Sequence, residues 1–176
     1  MNSDETTSEP LELEAVFGYA SDRGLRRELN EDSLIAADPV FAVADGMGGH
    51  EAGEIASSIC VRTLGDSRLV GEHLPEVPAA EIEELLAKAD RQIREATGGR
   101  AGTTLTGAVL VQEESRPYWL VFNVGDSRTY RLSRGALEQI TVDHSEVQEL
   151  VDLGQITPDE ALVHPRRHVV TRALGT

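Results

Sequence analysis

The sequence has a single cysteine, Cys60, among its 176 residues, so it cannot form an intramolecular disulfide. This predicts a reduced, intracellular protein in which Cys60 is an inert core residue. Basic residues are also scarce, because 16 Lys and Arg stand against 31 Asp and Glu and the net charge is −15. Since such a chain repels phosphate backbones and anionic lipids, we expect no nucleic-acid partner and no membrane partner.

Long apolar runs are absent as well. No stretch approaches the roughly 18 apolar residues of a membrane-spanning helix. Residues 1–10 are acidic and polar, whereas a signal peptide would begin basic and continue apolar. We therefore expect a cytoplasmic protein, with a disordered acidic tail over residues 1–13 and one domain over residues 14–176.

The apolar pattern changes along the chain in the order strands, two helices, strands. Apolar runs at 33–37 and 40–44, separated by Asp38-Pro39, predict a hairpin whose second strand is buried on both faces. Helical periodicity begins near Glu51 and again covers 80–96, with Ile55 and Ala96 among the residues expected to face inward. Further strands are predicted at 15–20, 102–112, 117–125 and 127–133, and short helices near 147–151 and after Thr157. This order predicts an α+β domain rather than a doubly wound sheet.

One segment combines a buried strand with an acid. Residues 40–44 are apolar, and Asp45-Gly46 follows directly. We expect the Asp45 carboxylate to emerge at the end of the strand, where a cation would compensate its charge, and Gly46 would let its carbonyl approach the same ion. An ordinary Asp-Gly turn or a helix cap explains the segment equally well.

Two further segments carry charge next to predicted strands. Arg27 precedes the adjacent acids Glu31 and Asp32, a combination that suits a cation and a phosphate group, although a solvated charged loop is the simpler interpretation. Asp126 follows Gly125 between two apolar strands, where a hairpin turn is the ordinary explanation.

Several kinds of site are excluded by spacing. The five histidines and Cys60 lie in separate segments, so no zinc site is predicted, and any metal would be held by oxygen, as Mg²⁺ or Mn²⁺ is. The glycines at 46–49 match neither nucleotide-binding fingerprint. Asp143-His144-Ser145 is not a catalytic triad, because neighbours in sequence do not point at one another as a triad requires.

Taken together and in order, six segments resemble the metal-dependent PP2C (PPM) protein serine/threonine phosphatases in their bacterial form. The resemblance covers nearly the whole chain from about residue 15. The segments are 27–33, 44–50, 102–104, 123–128, 143–145 and 164–176.

The resemblance implies a layered α-β-β-α sandwich of two antiparallel sheets flanked by helices, with two or three Mg²⁺ or Mn²⁺ ions at one edge. By motif match, Glu31, Asp45, the Gly46 carbonyl and Asp126 would hold metal, Asp32 would orient a metal-bound water, and Arg27 would bind the substrate phosphate. Residues about 145–165 would form the flap beside the active site. Met47 stands where animal relatives carry a histidine proposed as general acid, so that role is not transferred.

The implied function is hydrolysis of phosphoserine and phosphothreonine in proteins by a monomer, with Ser/Thr kinases or their substrates as partners. The family's two later metal aspartates would lie beyond Thr176, and the last strands with them. We therefore expect a C-terminally truncated domain with an incomplete active site and little activity. The alternatives are a non-catalytic module that binds a phosphoprotein or a kinase, and a hydrolase of small phosphate esters.

Overall fold

The computed structural model describes residues 13, 15–25, 27–49, 52–72 and 75–176, so all but Leu13 of the predicted tail lies outside it. Seven strands and four helices follow one another within these residues. They are β1 (Asp32–Ala37), β2 (Val40–Gly48), α1 (Ala52–Gly65), α2 (Ala79–Thr97), β3 (Ala101–Thr103), β4 (Leu105–Glu113), β5 (Arg116–Val124), β6 (Tyr130–Ser133), β7 (Ala136–Gln139), α3 (Glu146–Asp152) and α4 (Pro158–Val163).

The strands form two antiparallel sheets, which agrees with the predicted α+β class. The larger sheet has the order β1-β2-β4-β5, and β3 pairs with the end of β2. The smaller sheet is the hairpin of β6 and β7. The predicted hairpin over 33–44 is β1 and β2, joined at Asp38-Pro39.

One face of the larger sheet carries the core, because α1 and α2 pack against it. Cys60 is fully buried there, as predicted, and burial raises the pKa of its thiol to about 12. The predicted inward face of each helix contains one error, since Ile55 is 46% exposed and Ala96 is exposed. Most core side chains come from α1, α2, β2 and β4, including Val40, Ala42, Ala44, Ala56, Ile59, Leu64, Ile82, Ala89, Ile93, Leu105 and Val109.

The opposite face of the larger sheet is more open, so the prediction that β2 is buried on both faces was wrong. Burial alternates along β2 because no helix covers this second face among the described residues, and Val43 is 46% exposed. The ring of Phe41 makes edge contacts with Phe17 and Trp119, at centroid distances of 4.9 and 5.8 Å. Residues 15–20 are not a strand, because they pair with no neighbouring strand.

The later strands differ from the prediction at their ends. The strand predicted over 102–112 is divided at Thr104, whose amide donates to the Asp45 carbonyl at 2.9 Å. The strand predicted over 127–133 begins only at Tyr130, and β7 was not predicted. The four residues of β7 are all exposed, and their sequence has little apolar periodicity.

The two short helices near the end of the chain were both predicted, the first from its apolar residues and the second from a capping box. Ser145 accepts a hydrogen bond from the Gln148 amide at the start of α3. Thr157 and Glu160 form a reciprocal capping box at the start of α4, with Pro158 in its first turn. Among the described residues, no helix is long and apolar enough to cross a membrane.

Candidate metal and phosphate site

Two carboxylates lie opposite each other where β1 begins. Asp32 and Asp45 are directly paired across the antiparallel ladder, and Asp32 lies close enough to raise the pKa of Asp45. The prediction that Asp45 ends its strand was wrong, because β2 continues to Gly48 by pairing with β3. Like charges directly opposite each other destabilise a sheet, so this pair favours a shared proton or a bound cation.

The pKa of Asp45 reports this crowding. Partial burial, together with the nearby Asp32 and the charge of Asp126, raises the pKa of Asp45 to about 6, and Arg27 acts in the opposite direction. The residue nevertheless remains in contact with solvent. Since desolvation and repulsion act together on an accessible group, a divalent cation at this place would relieve the repulsion without having to enter the core.

Gly46 packs directly against the start of α1. Its amide donates to the Glu31 carbonyl at 3.1 Å, and Ser57 donates to the same carbonyl oxygen at 2.6 Å. A Cβ on Gly46 would lie 2.1 Å from the Gly53 carbonyl oxygen, and one on Gly53 would lie 2.6 Å from Glu31 Oε1. Two glycines therefore allow the Glu31 side chain, β2 and α1 to share one small volume.

Arg27 lies on the solvent side of the acids. Its Nη1 is 3.1 Å from Glu31 Oε2, and the Arg27 side chain is 75% exposed whereas that of Glu31 is 16% exposed. Arg27 makes one ion pair among the described residues, so its other guanidinium donors can bind a further anion.

Asp126 approaches Asp45 from β5. The turn at Gly125-Asp126 follows Val124, the last residue of β5, and Asp126 is close enough for its charge to act on Asp45. Thr104 connects the Asp126 turn to β2, since its Oγ1 accepts from the Asp45 amide at 3.2 Å and lies 2.7 Å from Ser127 Oγ. The acids predicted from separate segments thus lie at one end of the sheet.

Asp143, His144 and Ser145 face different partners, so the exclusion of a catalytic triad is confirmed. Asp143 is buried and accepts three hydrogen bonds from Arg128, the shortest of them 2.6 Å from Nη2. His144 Nδ1 accepts from the Gly125 amide at 3.1 Å. Ser145 caps α3.

Three of these residues had no predicted role: Thr104, Arg128 and His144. Each belongs to a segment that the sequence analysis singled out, but its partner lies between 15 and 59 residues away. Among the described residues, no three His, Cys, Asp or Glu side chains are grouped closely enough to hold a metal ion. The acids therefore form a loose oxygen-donor cluster rather than a closed cage.

Comparison with known proteins identifies the family. The family model for protein phosphatase 2C matches residues 26–172. The chain belongs to the protein phosphatase 2C family. The matched range contains all of the acids described above, together with Arg27 and His144.

Curated relatives in the family include serine/threonine phosphatases of bacteria. The chain is 41% identical over 173 residues to the serine/threonine protein phosphatase PstP of Mycobacterium tuberculosis, which covers 90% of the chain and 31% of that protein. It is 38% identical over 171 residues to the serine/threonine phosphatase stp of Listeria monocytogenes, covering 89% of the chain and 66% of that protein. The chain thus spans about two thirds of the Listeria relative.

Solved structures of the family share the fold. The PPM Ser-Thr phosphatase MsPP of Mycobacterium smegmatis, in complex with cacodylate, matches with a TM-score of 0.77 and 38% identity over 89% of this chain and 65% of that one. The catalytic domain of PstP in complex with two manganese ions matches with a TM-score of 0.69 and 38% identity, over the same shares of the two chains. The predicted PP2C-type fold is confirmed.

Proposed function

We propose that this chain carries part of the active site of a metal-dependent phosphatase that hydrolyses phosphoserine and phosphothreonine in proteins. The observation that carries the proposal is the meeting of Asp32, Asp45 and Asp126 at one end of the larger sheet, with Arg27 beside them. Family membership supports the same chemistry, and relatives in the family have been solved with cacodylate and with two manganese ions.

The acids fit a hard divalent cation such as Mg²⁺ or Mn²⁺. Their donors are all oxygens, and the raised pKa of Asp45 reflects a repulsion that positive charge would relieve. Glu31, Asp45, the Gly46 carbonyl and Asp126 would hold two or three such ions in a complete domain. When bound, these ions would supply positive charge that polarises the phosphoryl group and makes water more acidic.

The remaining residues of the site have separate tasks in this proposal. Arg27 binds the equatorial oxygens of the substrate phosphate through guanidinium donors not used by Glu31. Asp32 orients the attacking water by accepting a hydrogen bond from it, since this carboxylate is exposed at the start of β1. Residues about 145–165, which include α3 and α4, form a flap that contacts the phosphoprotein.

A metal titration tests the site directly. In the 176-residue chain, Asp45→Asn should weaken Mn²⁺ binding about tenfold or more, because it removes a charged oxygen donor. Asp66→Asn is the matched control, since Asp66 is an exposed acid just after α1, and it should leave Mn²⁺ binding unchanged. Equal affinities for the wild type and Asp45→Asn would contradict the proposed metal site.

Phosphate release distinguishes catalysis from binding. Inorganic phosphate is measured after incubation of a phosphothreonine peptide with the chain and millimolar Mn²⁺. Turnover that disappears in Asp45→Asn would support the proposal for this chain. Peptide binding that needs Arg27, without turnover, would instead support the non-catalytic alternative, which the absence of a closed ligand cage among the described residues favours. Faster turnover of small phosphate esters than of phosphopeptides would support the third alternative.

A further inference from the structure

The turn that carries Asp126 is held by two hydrogen bonds to one residue, His144. The Gly125 amide donates to His144 Nδ1 at 3.1 Å, and the His144 amide donates to the Gly125 carbonyl at 2.9 Å. Gly125 is buried, with a φ of +102°, and a Cβ there would lie 2.6 Å from Thr104 Cγ2. The backbone before Asp126 therefore has one well-defined path.

The first of these bonds fixes the protonation state of the ring. A backbone amide can only donate, so Nδ1 must be unprotonated and the proton of the neutral imidazole must be on Nε2. Burial lowers the pKa of His144 and the charge of Arg172 lowers it further, whereas Asp143 and Glu149 oppose this shift. The neutral ring required by the geometry is thus also the favoured form at neutral pH.

His144 is itself held on both sides. The preceding Asp143 is clamped by the Arg128 guanidinium, and Gln139 Nε2 donates to the same carboxylate at 3.0 Å. The His144 carbonyl accepts from the Thr171 amide at 2.8 Å, and Ser145 bridges to Val170. The ring is consequently a fixed acceptor against which the Gly125 amide is placed.

We infer that His144 is a positioning residue for Asp126, whose Nδ1 acceptor holds the Gly125 amide and thereby sets the direction in which the Asp126 carboxylate is presented to a cation. The inference rests on the proposed function, because it gives Asp126 a metal-binding role. Without the ring, the buried Gly125 amide would lose its acceptor and the turn would reorganise to satisfy it.

Three substitutions test the effect of the hydrogen-bond acceptor separately from the effect of the size of the side chain. His144→Asn places Oδ1 where Nδ1 lies, His144→Gln places its acceptor one bond further out, and His144→Leu has no acceptor. Each variant is titrated with Mn²⁺ while the paramagnetic broadening of the Ser127 amide resonance is followed by NMR. Hydrogen exchange of the Gly125 amide is measured in the same samples, and thermal unfolding is recorded for each.

We expect Leu and Gln at position 144 to raise the Mn²⁺ concentration needed for half-maximal broadening about tenfold, and to speed exchange of the Gly125 amide. His144→Asn should keep both the Mn²⁺ midpoint and the exchange rate of the Gly125 amide within about twofold of the wild type. If His144→Leu fails to fold, the Asn and Gln variants still decide the question, because both are polar and differ in where the acceptor lies. Equal behaviour of Asn and Gln would overturn the inference.

Asp126→Asn is the reference variant that separates this inference from the proposed function. Loss of broadening in Asp126→Asn, with wild-type broadening in His144→Leu and His144→Gln, would overturn the inference and leave the metal site intact. Wild-type broadening in both Asp126→Asn and Asp45→Asn would overturn the proposed metal site and the inference together. Lower melting temperatures in all three His144 variants, with no rescue by Asn, would reduce His144 to a structural role and overturn the inference.

Discussion

Two acids, Asp45 and Asp126, meet at one end of the sheet, and they are positioned by different means. Asp45 lies inside β2, where it pairs with Asp32 of β1 on one side and its carbonyl accepts from the Thr104 amide on the other. The next residue, Gly46, pairs with β3 and packs against α1. Asp126 lies beyond the end of β5, where strand pairing has stopped, and its neighbours are held by the side chains of Thr104 and His144.

This difference predicts different sensitivities. A residue inside a ladder shares its position with many backbone hydrogen bonds, so only a steric change in the packed backbone should displace it. A residue held by a few side-chain hydrogen bonds should move when one of them is removed, while the rest of the fold remains. Substitutions around Asp45 should therefore affect folding, and those in the turn that carries Asp126 should affect metal binding.

The largest effect is expected from Gly46→Ala. The added Cβ would lie 2.1 Å from the Gly53 carbonyl oxygen and 2.7 Å from the Glu31 carbonyl oxygen, and neither backbone atom can move cheaply. We expect the free energy of unfolding, measured by urea titration, to fall by about 3 kcal/mol. Gly49→Ala is the control, because a Cβ there meets no atom of the described residues within 4 Å. A similar loss of stability in both variants would contradict the packing argument.

A smaller and more selective effect is expected from Thr104→Val. Its hydroxyl joins the Asp45 amide to Ser127, so its removal should lower the free energy of unfolding by about 1–2 kcal/mol and weaken Mn²⁺ binding several-fold. Thr106→Val is a matched control, since the Thr106 hydroxyl bonds to Thr129 at 2.9 Å from a similarly buried position on β4. Thr106→Val should lower the free energy of unfolding by a similar amount and leave Mn²⁺ binding unchanged. Weaker Mn²⁺ binding in both variants would remove the distinction between Asp45 and the Asp126 turn.

The same contrast explains which parts of the molecule could be predicted from sequence. Sequence patterns located β1, β2, α1, α2 and α3, and the capping box located α4, because these depend on neighbours within a few residues. Asp45 could be singled out because an apolar strand and a glycine flank it directly. The hydrogen bond from the Gly125 amide to His144 could not be predicted, because it joins residues 19 positions apart through a tertiary contact. The errors at Ile55 and Ala96 have a similar origin, because periodicity gives a helix face but not how far the neighbouring elements extend over it.

The smallest effect concerns pH. Burial and the neighbouring acids raise the pKa of Asp45 to about 6, above the value near 4 of an aspartate in an unfolded chain. Between these values the unfolded chain releases its proton while the folded chain retains it, so the free energy of unfolding should fall as pH rises from about 4 to 6 and then level off. The contribution of Asp45 to the free energy of unfolding is therefore complete below pH 4 and is lost as the pH rises through its folded pKa of about 6.

Urea midpoints of the metal-free wild type and Asp45→Asn, compared at several pH values, measure this contribution. Asp45→Asn should gain stability relative to the wild type as the pH rises towards 7, because its neutral side chain is not repelled by Asp32 and Asp126. Saturating Mn²⁺ should reverse the difference, since a bound cation favours the ionised carboxylate and Asn cannot supply it. The opposite result is a difference between the two proteins that does not change with pH, with or without Mn²⁺. That result would mean that Asp45 is positioned by its strand pairing alone and that Arg27 already neutralises its carboxylate.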